Sequence, residues 1–319
     1  MRTSLIIPTL NRPKDIKRCL DSIVQLNRLF DEIIIVEQGD INNTKTTISA
    51  FSNLNISLYF HPIESGAQAR NVGIEKASGD FLFFIDDDTA LVEKNYIDIA
   101  LNHFNDNPKV MGIDGLLLSN KAGYYDSKVV RFLHKFFFLN GNNFNINCAG
   151  INNNSWLDSE MQNAQWLFGG NMVCRNEVFK QGFRFNHHFI RHSDYEDAML
   201  SYQIYQFYGH GSLVYLPSFK LMHFESDDDN NTNVQALKMR TLYQFVLWRQ
   251  MIFVQSPLNL LCYCHAQVGV MLVELVHPRR TKHRWLKFKT FLKTYFYILK
   301  NHKKIATNSI DFNQFILND

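Results

Sequence analysis

The chain has 319 residues, 46% of them hydrophobic and 20% charged, with a formal net charge of +3. That is the composition of a globular protein with one large domain or two smaller ones and a substantial core, and it excludes an extended disordered chain. Five cysteines without framework spacing point to a reducing, intracellular setting, and no apolar leader follows Met1.

Ser4–Pro8 is a short apolar run that reads as a buried strand, followed by the polar turn Thr9–Arg12. Pro13 suits a first helical turn, and Ile16, Leu20, Ile23 and Val24 recur at helical spacing. Glu32–Val36 reads as a second strand ending in the loop Glu37–Asp40, with a weaker helix over Thr44–Phe51. Ile56–Phe60 is a third strand, and Ser65 and Gly66 open a helix. Phe81–Ile85 is a fourth strand, buried on both faces, that runs into Asp86, Asp87 and Asp88. A helix near Asn95–Phe104 and a strand near Val110–Leu117 follow. Strand and helix alternate on short connections, which predicts a parallel α/β sheet.

Ligands bind such sheets outside the carboxyl ends of the strands, where the three aspartates emerge. Adjacent carboxylates repel unless positive charge sits among them, and a hard divalent ion carrying a diphosphate suits that place. A solvated acidic turn is the bland alternative. The first turn has no glycine, which excludes both the dinucleotide fingerprint and the P-loop.

Ser119–Gln165 is irregular and asparagine-rich, densest at Asn140–Asn154. Organised sequence resumes at Trp166–Arg175, where Gly169 and Gly170 permit close backbone approach, with a strand at Met172–Cys174 and a short helix from Asn176. Asp194 is placed to cap a helix whose first turn holds Glu196 and Asp197, running to about Tyr208. A strand at Leu213–Leu216, with Lys220–Phe224 and its His223 following the last sheet element, completes this part.

The segments Ser4–Arg12, Glu32–Asp40, Gly66–Gly73 and the strand ending at Asp86–Asp88 together resemble the nucleotide-sugar-binding half of family 2 glycosyltransferases. The resemblance covers roughly the first 225 residues. It implies the GT-A fold: an α/β, mostly parallel central sheet flanked by helices. The domain would span residues 1–226, divided into a nucleotide-sugar half (1–118) and an acceptor half (119–226), with a helical region over 227–319. It also implies inverting transfer of a hexose from a UDP-, GDP- or dTDP-linked donor to a saccharide or lipid-linked acceptor, in surface polysaccharide or glycolipid assembly. Asp197 would be the general base with Glu196 beside it. Asp88 and Asp86 would hold Mg²⁺ or Mn²⁺, with His223 either a third ligand or a structural histidine. Pro8, Thr9, Arg12, Glu37, Arg70, Asp86, Asp87, Gly169 and Gly170 would hold the donor. Glu37 stands where the family often has aspartate, which bears on the nucleobase contacts.

Beyond the polar break at Asp227–Asn231 lie two predicted helices, Val234–Gln255 and Leu258–Val276, the second apolar but interrupted by His265, Gln267 and Glu274. Cys262, Cys264 and His265 lack a second pair for a metal and read as a buried cluster. His277–Lys304 holds ten Lys/Arg and no acid, so the rest of the chain is net acidic. A last helix near Arg284–Lys300 puts Trp285, Phe288, Leu292, Tyr295, Phe296 and Leu299 on one face with lysines beside it. It reads as a helix for an anionic membrane surface, or as one packed on the catalytic domain with a solvated rim. The first reading predicts a cytoplasmic protein peripheral to the membrane. No nucleic-acid motif accompanies the basic run. A nucleotidyltransferase and a non-catalytic saccharide binder are the competing functions. The first would need a glycine-rich loop after strand one, and the second leaves both acidic clusters without a task.

Overall fold

The computed structural model describes residues 1–119, 127–140, 144–152, 160–191, 194–224, 234–276 and 283–317. The expected break at Asp227–Asn231, part of the asparagine-rich stretch and part of the basic run fall outside these residues. In chain order the elements are β1 (Thr3–Thr9), α1 (Pro13–Ile23), β2 (Glu32–Glu37), α2 (Ile41–Ile48), β3 (Ile56–Phe60), α3 (Gly66–Lys76), β4 (Phe81–Ile85), β5 (Thr89–Leu91), α4 (Tyr96–Asp106) and β6 (Gly112–Ser119). They continue with α5 (Lys128–Phe136), β7 (Gln162–Asn163), β8 (Asn171–Arg175), α6 (Asn176–Lys180), α7 (Glu196–Tyr208), β9 (Leu213–His223), α8 (Val234–Leu247), a π-helical turn (Trp248–Ile252), α9 (Asn259–Val276), α10 (Arg284–Ala306) and α11 (Asn313–Leu317).

The chain divides into two units. Unit 1 holds residues 1–122, 155–192 and 196–225; unit 2 holds 123–154, 193–195 and 226–319. Residues 123–154, expected in an acceptor half, therefore belong with the helical unit.

Unit 1 is a mixed sheet in the order β3-β2-β1-β4-β8-β6-β9-β5, with β7 on β9. Its first four strands pair parallel, as β1 and β4 read in sequence, and β8 enters antiparallel to β4. The near-continuous apolar runs are explained by helices on both faces. On one side α1 buries Ile16, Cys19, Leu20 and Ile23, and α4 buries Tyr96, Ile97, Ala100, Leu101 and Phe104. These join Leu5, Ile7, Phe83 and Phe219 in one core, each such side chain contributing about 1.5–3 kcal/mol by burial. α3 lies so close to β1 that a Cβ on Gly73 would stand 2.3 Å from Ile6 Cγ2. Ser65 starts α3, its Oγ accepting the Gln68 N–H at 3.1 Å.

Two sequence expectations change here. The strand read at Leu213–Leu216 continues to His223 as β9, so His223 lies in the sheet and not after it, because the register against β6 jumps between Gly115 and Leu116 and absorbs Pro217–Phe219. Only glycine fits at 115, where a Cβ would lie 1.6 Å from the Phe219 carbonyl oxygen. Three-residue β5 was not visible, being hidden behind the aspartates.

Unit 2 is helical. α9 packs on α5, where a Cβ on Gly269 would stand 2.2 Å from Phe137 Cβ, and on α10, where the Tyr295 hydroxyl donates to Gln267 Oε1 at 2.7 Å. A disulfide joins Cys148 and Cys262 with their Cα atoms 5.9 Å apart, while Cys264 is exposed. In place of the expected buried cluster at Cys262–His265, Cys262 is crosslinked to the asparagine-rich segment. Glu274 and Lys287, both buried, pair at 3.4 Å. α10 runs past Lys300 to Ala306 and buries Lys287, Thr290, Phe291, Thr294 and Ile298.

Candidate active site

All the residues singled out for chemistry lie in unit 1, at the carboxyl ends of β1, β2 and β4 and on the elements beside them. The β4–β8 register pairs Ile85 with Asn171, which brings Gly170 against Asp86: a Cβ there would meet Asp86 Oδ2 at 2.6 Å. Arg70, buried on α3, reaches across with both ends of its guanidinium. Nη2 donates to Asp86 Oδ1 at 2.5 Å, and Nη1 donates to Glu196 Oε1 at the start of α7. Asp197 Oδ2 accepts the Gly169 N–H at 2.9 Å. Asp86, Arg70, Gly169, Gly170, Glu196 and Asp197 therefore form one cluster drawn from four separate segments.

A second cluster adjoins it. Asp87 is buried, its Oδ2 accepting from Thr9 Oγ1 at 2.7 Å and its Oδ1 from Arg12 Nη1 at 3.3 Å. Arg12 also reaches Asp88 Oδ2 at 3.1 Å. His223 Nε2 lies 3.2 Å from Asp88 Oδ1. That meeting is set by strand register: β5 pairs Thr89 with His223, and the Phe224 N–H donates to the Asp88 carbonyl at 2.8 Å.

The electrostatics differ from one carboxylate to the next. Burial, above all, lifts Asp197 to about 6, against the Gly169 and Ala198 N–H groups and Arg70, which favour its charged form. Burial lifts Asp87 to about 7 against the Thr9 hydroxyl and Arg12. Burial pushes Glu196 above the usual carboxylate range against Arg70. For Arg70 itself burial opposes the charge, but Glu196, Asp86 and Asp197 outweigh it and raise its pKa.

The other residues expected at the donor have these partners. Glu37 Oε1 accepts the N–H groups of Asn11, Gln38 and Gly39, and its Oε2 accepts the Thr44 hydroxyl. Its carboxylate ties the turn after β1 to the loop after β2. Pro8 lies inside β1 opposite Val36, and the Thr9 carbonyl already accepts the Gln38 N–H at 3.0 Å. Asp86 is held by Arg70, apart from the Asp88–His223 pair, and among the described residues no three His, Cys, Asp or Glu side chains gather as a metal cage. The fit for a cation therefore rests on two groups, Asp88 and His223, close enough to share one ion. That suits Mg²⁺ or Mn²⁺, which keep several waters and take substrate phosphate oxygens.

The sequence profile of "Glycosyl transferase family 2" matches residues 4–183, more than half of the chain and most of unit 1. The chain belongs to glycosyltransferase family 2. An uncharacterized glycosyltransferase of Rickettsia felis is 30% identical over 145 residues, 45% of this chain and 23% of that protein. Glycosyltransferase GlyA of Streptococcus pneumoniae is 28% identical over 99 residues, 30% of this chain and 14% of that protein. The matches thus span under a quarter of either relative's length. Among solved structures, the mannosyltransferase PcManGT of Pyrobaculum calidifontis, in complex with GDP-Man and Mn²⁺, superposes with TM-score 0.55 at 12% identity, covering 94% of this chain and 86% of that one. The S. aureus TarS fragment 1–349, in complex with UDP-GlcNAc, gives 0.52 at 12% identity, covering 95% and 92%. At that identity they establish the GT-A fold.

In this family 2 chain two further residues shape the site. Asp114, buried on β6, accepts the Phe168 N–H at 3.0 Å and the Gly115 N–H at 2.6 Å, and so holds the turn that presents Gly169 to Asp197. Burial pushes its pKa well above the ordinary value. The signal in the sequence was one carboxylate inside an apolar strand. Asn171, fully buried, accepts from the Tyr96 hydroxyl at 2.7 Å and donates to the Phe219 carbonyl at 3.2 Å, tying β8 to β9. Nothing in its polar neighbourhood marked it.

Proposed function

We propose that the chain transfers a hexose from a nucleoside-diphosphate sugar to an acceptor hydroxyl with inversion at the anomeric carbon. The observation that carries the reading is the Arg70 bridge between Asp86 and Glu196, beside an Asp197 fixed by the Gly169 N–H. It gathers acids from β4 and α7 around one place, with a base at one side and a diphosphate-binding strand end at the other.

Asp197 takes the proton of the acceptor hydroxyl, whose oxygen bonds to the anomeric carbon. The bond from that carbon to the donor phosphate breaks, and the nucleoside diphosphate leaves with the electron pair. A carboxylate with a pKa of about 6 is ionised at neutral pH yet more basic than an ordinary aspartate, and general bases of this kind typically contribute ~10²–10⁴ in rate. Glu196 orients Arg70, Arg70 orients Asp86, and Asp86 with the close-approaching Gly170 backbone receives the sugar–ribose side of the donor. Arg12, half exposed between Asp87 and Asp88, is available to diphosphate oxygens. A divalent cation held at Asp88 and His223 would supply neutralisation of the leaving diphosphate.

The acceptor class we infer is a saccharide or lipid-linked saccharide, in surface polysaccharide or glycolipid assembly. A thermal-shift screen of UDP, GDP and dTDP and their sugars with Mn²⁺, followed by product analysis on the donor that stabilises, tests the reading. Release of a nucleoside diphosphate with a glycosylated acceptor is the expected result. Release of pyrophosphate would assign a nucleotidyltransferase instead.

A further inference from the structure

Unit 2 carries a surface that the transfer chemistry does not use. We infer that α5, α9 and α10 present it to an anionic lipid bilayer, lying in the interface rather than across it. α9 is the centre, with α5 and α10 packed against it. Its outward residues Leu260, Leu261, Cys264, Val268 and Val276 include no charge; the helix's one charged side chain, Glu274, is buried against Lys287. Leu261 is 71% exposed.

The flanking helices interleave apolar and cationic side chains. α5 exposes Val129, Phe132 and Phe136 among Lys128, Arg131 and Lys135. α10 exposes Trp285, Leu292, Phe296 and Leu299 among Lys289, Lys293, Lys300, Lys303 and Lys304, with Trp285 77% and Phe296 70% exposed. No exposed carboxylate occurs on any of the three helices. A solvated rim would mix both signs, and an acidic protein partner would not need an uncharged aliphatic centre. Large aliphatics in the middle, aromatics and long basic side chains around them, and no acid are what an interface of acyl chains beneath anionic headgroups selects.

α9 is long and apolar enough by composition to cross a membrane, its 18 residues having a mean hydropathy of 1.4. Its other face argues against spanning: Tyr263, Gln267, Val273 and Glu274 are buried inside unit 2, two of them bonded to α10. One face is committed to protein, so only the other meets lipid. The inference stands independently of the transfer reading.

The test is co-sedimentation of the full chain with phosphatidylcholine vesicles with and without phosphatidylglycerol, at low and high salt. Binding to the anionic vesicles, weakened by salt, is expected. The triple variant Lys289→Gln, Lys293→Gln, Lys300→Gln is expected to weaken that binding by about a hundredfold, since each base near the surface contributes about a factor of five. The pair Phe132→Ser, Phe296→Ser is expected to lose most binding to either vesicle, with thermal unfolding unchanged as the control for folding. The inference is overturned if the chain ignores anionic vesicles at low salt. Sedimentation as a dimer that those two serines dissociate would assign the face to a second copy, and retention of RNA but not vesicles would assign it to nucleic acid.

Discussion

His223 Nε2 stands 3.2 Å from Asp88 Oδ1, although every element from β5 to α7 lies between them in the chain. The pair is the cation site proposed above, and the prediction is direct. His223→Ala is expected to lower Mn²⁺-dependent nucleotide affinity by about tenfold or more, and Asp88→Ala by more still. Titration of the nucleoside diphosphate with Mn²⁺ and again with a chelator measures it. Equal affinity of wild type and His223→Ala in both conditions would remove the pair from that role.

Asp197→Asn is expected to cut transfer by ~10²–10⁴ while nucleotide binding persists, because the amide oxygen still accepts the Gly169 N–H. The same substitution is expected to stabilise the fold at alkaline pH. The folded pKa, about 6, lies above the ordinary 3.8, so the charged form costs stability above that range, by about 2–3 kcal/mol. As pH falls from about 6 to about 4 the folded carboxyl takes up its proton and most of the advantage disappears. Urea unfolding of both proteins at pH 8 and pH 4 measures the difference; an equal gain at both would assign it to something other than the buried charge.

The wild-type transfer rate is expected to fall as pH falls through about 6, as Asp197 takes up its proton. A pH–rate profile under saturating donor checks this. A rate that is flat from pH 8 to pH 5 would mean another group accepts the proton.

Arg70→Ala leaves Asp86 and the buried Glu196 without their shared cation. Removing one partner of a buried ion pair typically costs about 3–5 kcal/mol. Arg70→Lys is expected to recover only part of that, since one ammonium cannot span both carboxylates in the forked geometry. Denaturant midpoints rank the three proteins.

Gly115→Ala is expected to destabilise by about 3 kcal/mol or more, because its Cβ would strike the backbone carbonyl of Phe219 and nothing flexible can yield. The displaced strand is β9, so Mn²⁺-dependent nucleotide binding is expected to weaken as well.

The sequence by itself determined the parallel half of the sheet. Continuous apolar runs at β1, β2 and β4, with the clearly periodic α1 between the first two, leave little choice, since both faces of such strands must be covered. It also determined that acids emerge at the end of β4 and open α7. Only tertiary structure decided which acid meets which partner. Asp86 goes to Arg70 and Asp88 to His223 because β8 pairs with β4 and β5 with β9 in fixed register, and a three-residue strand leaves no periodic trace. Glu37 turned inward because its own loop offers two N–H donors and the turn after β1 a third, a geometry that follows from backbone direction and not from residue order. The same holds in unit 2. The lysines and aromatics of α10 were plain in the chain, but α5 and α9 join them through side-chain packing between distant segments, which no local pattern encodes.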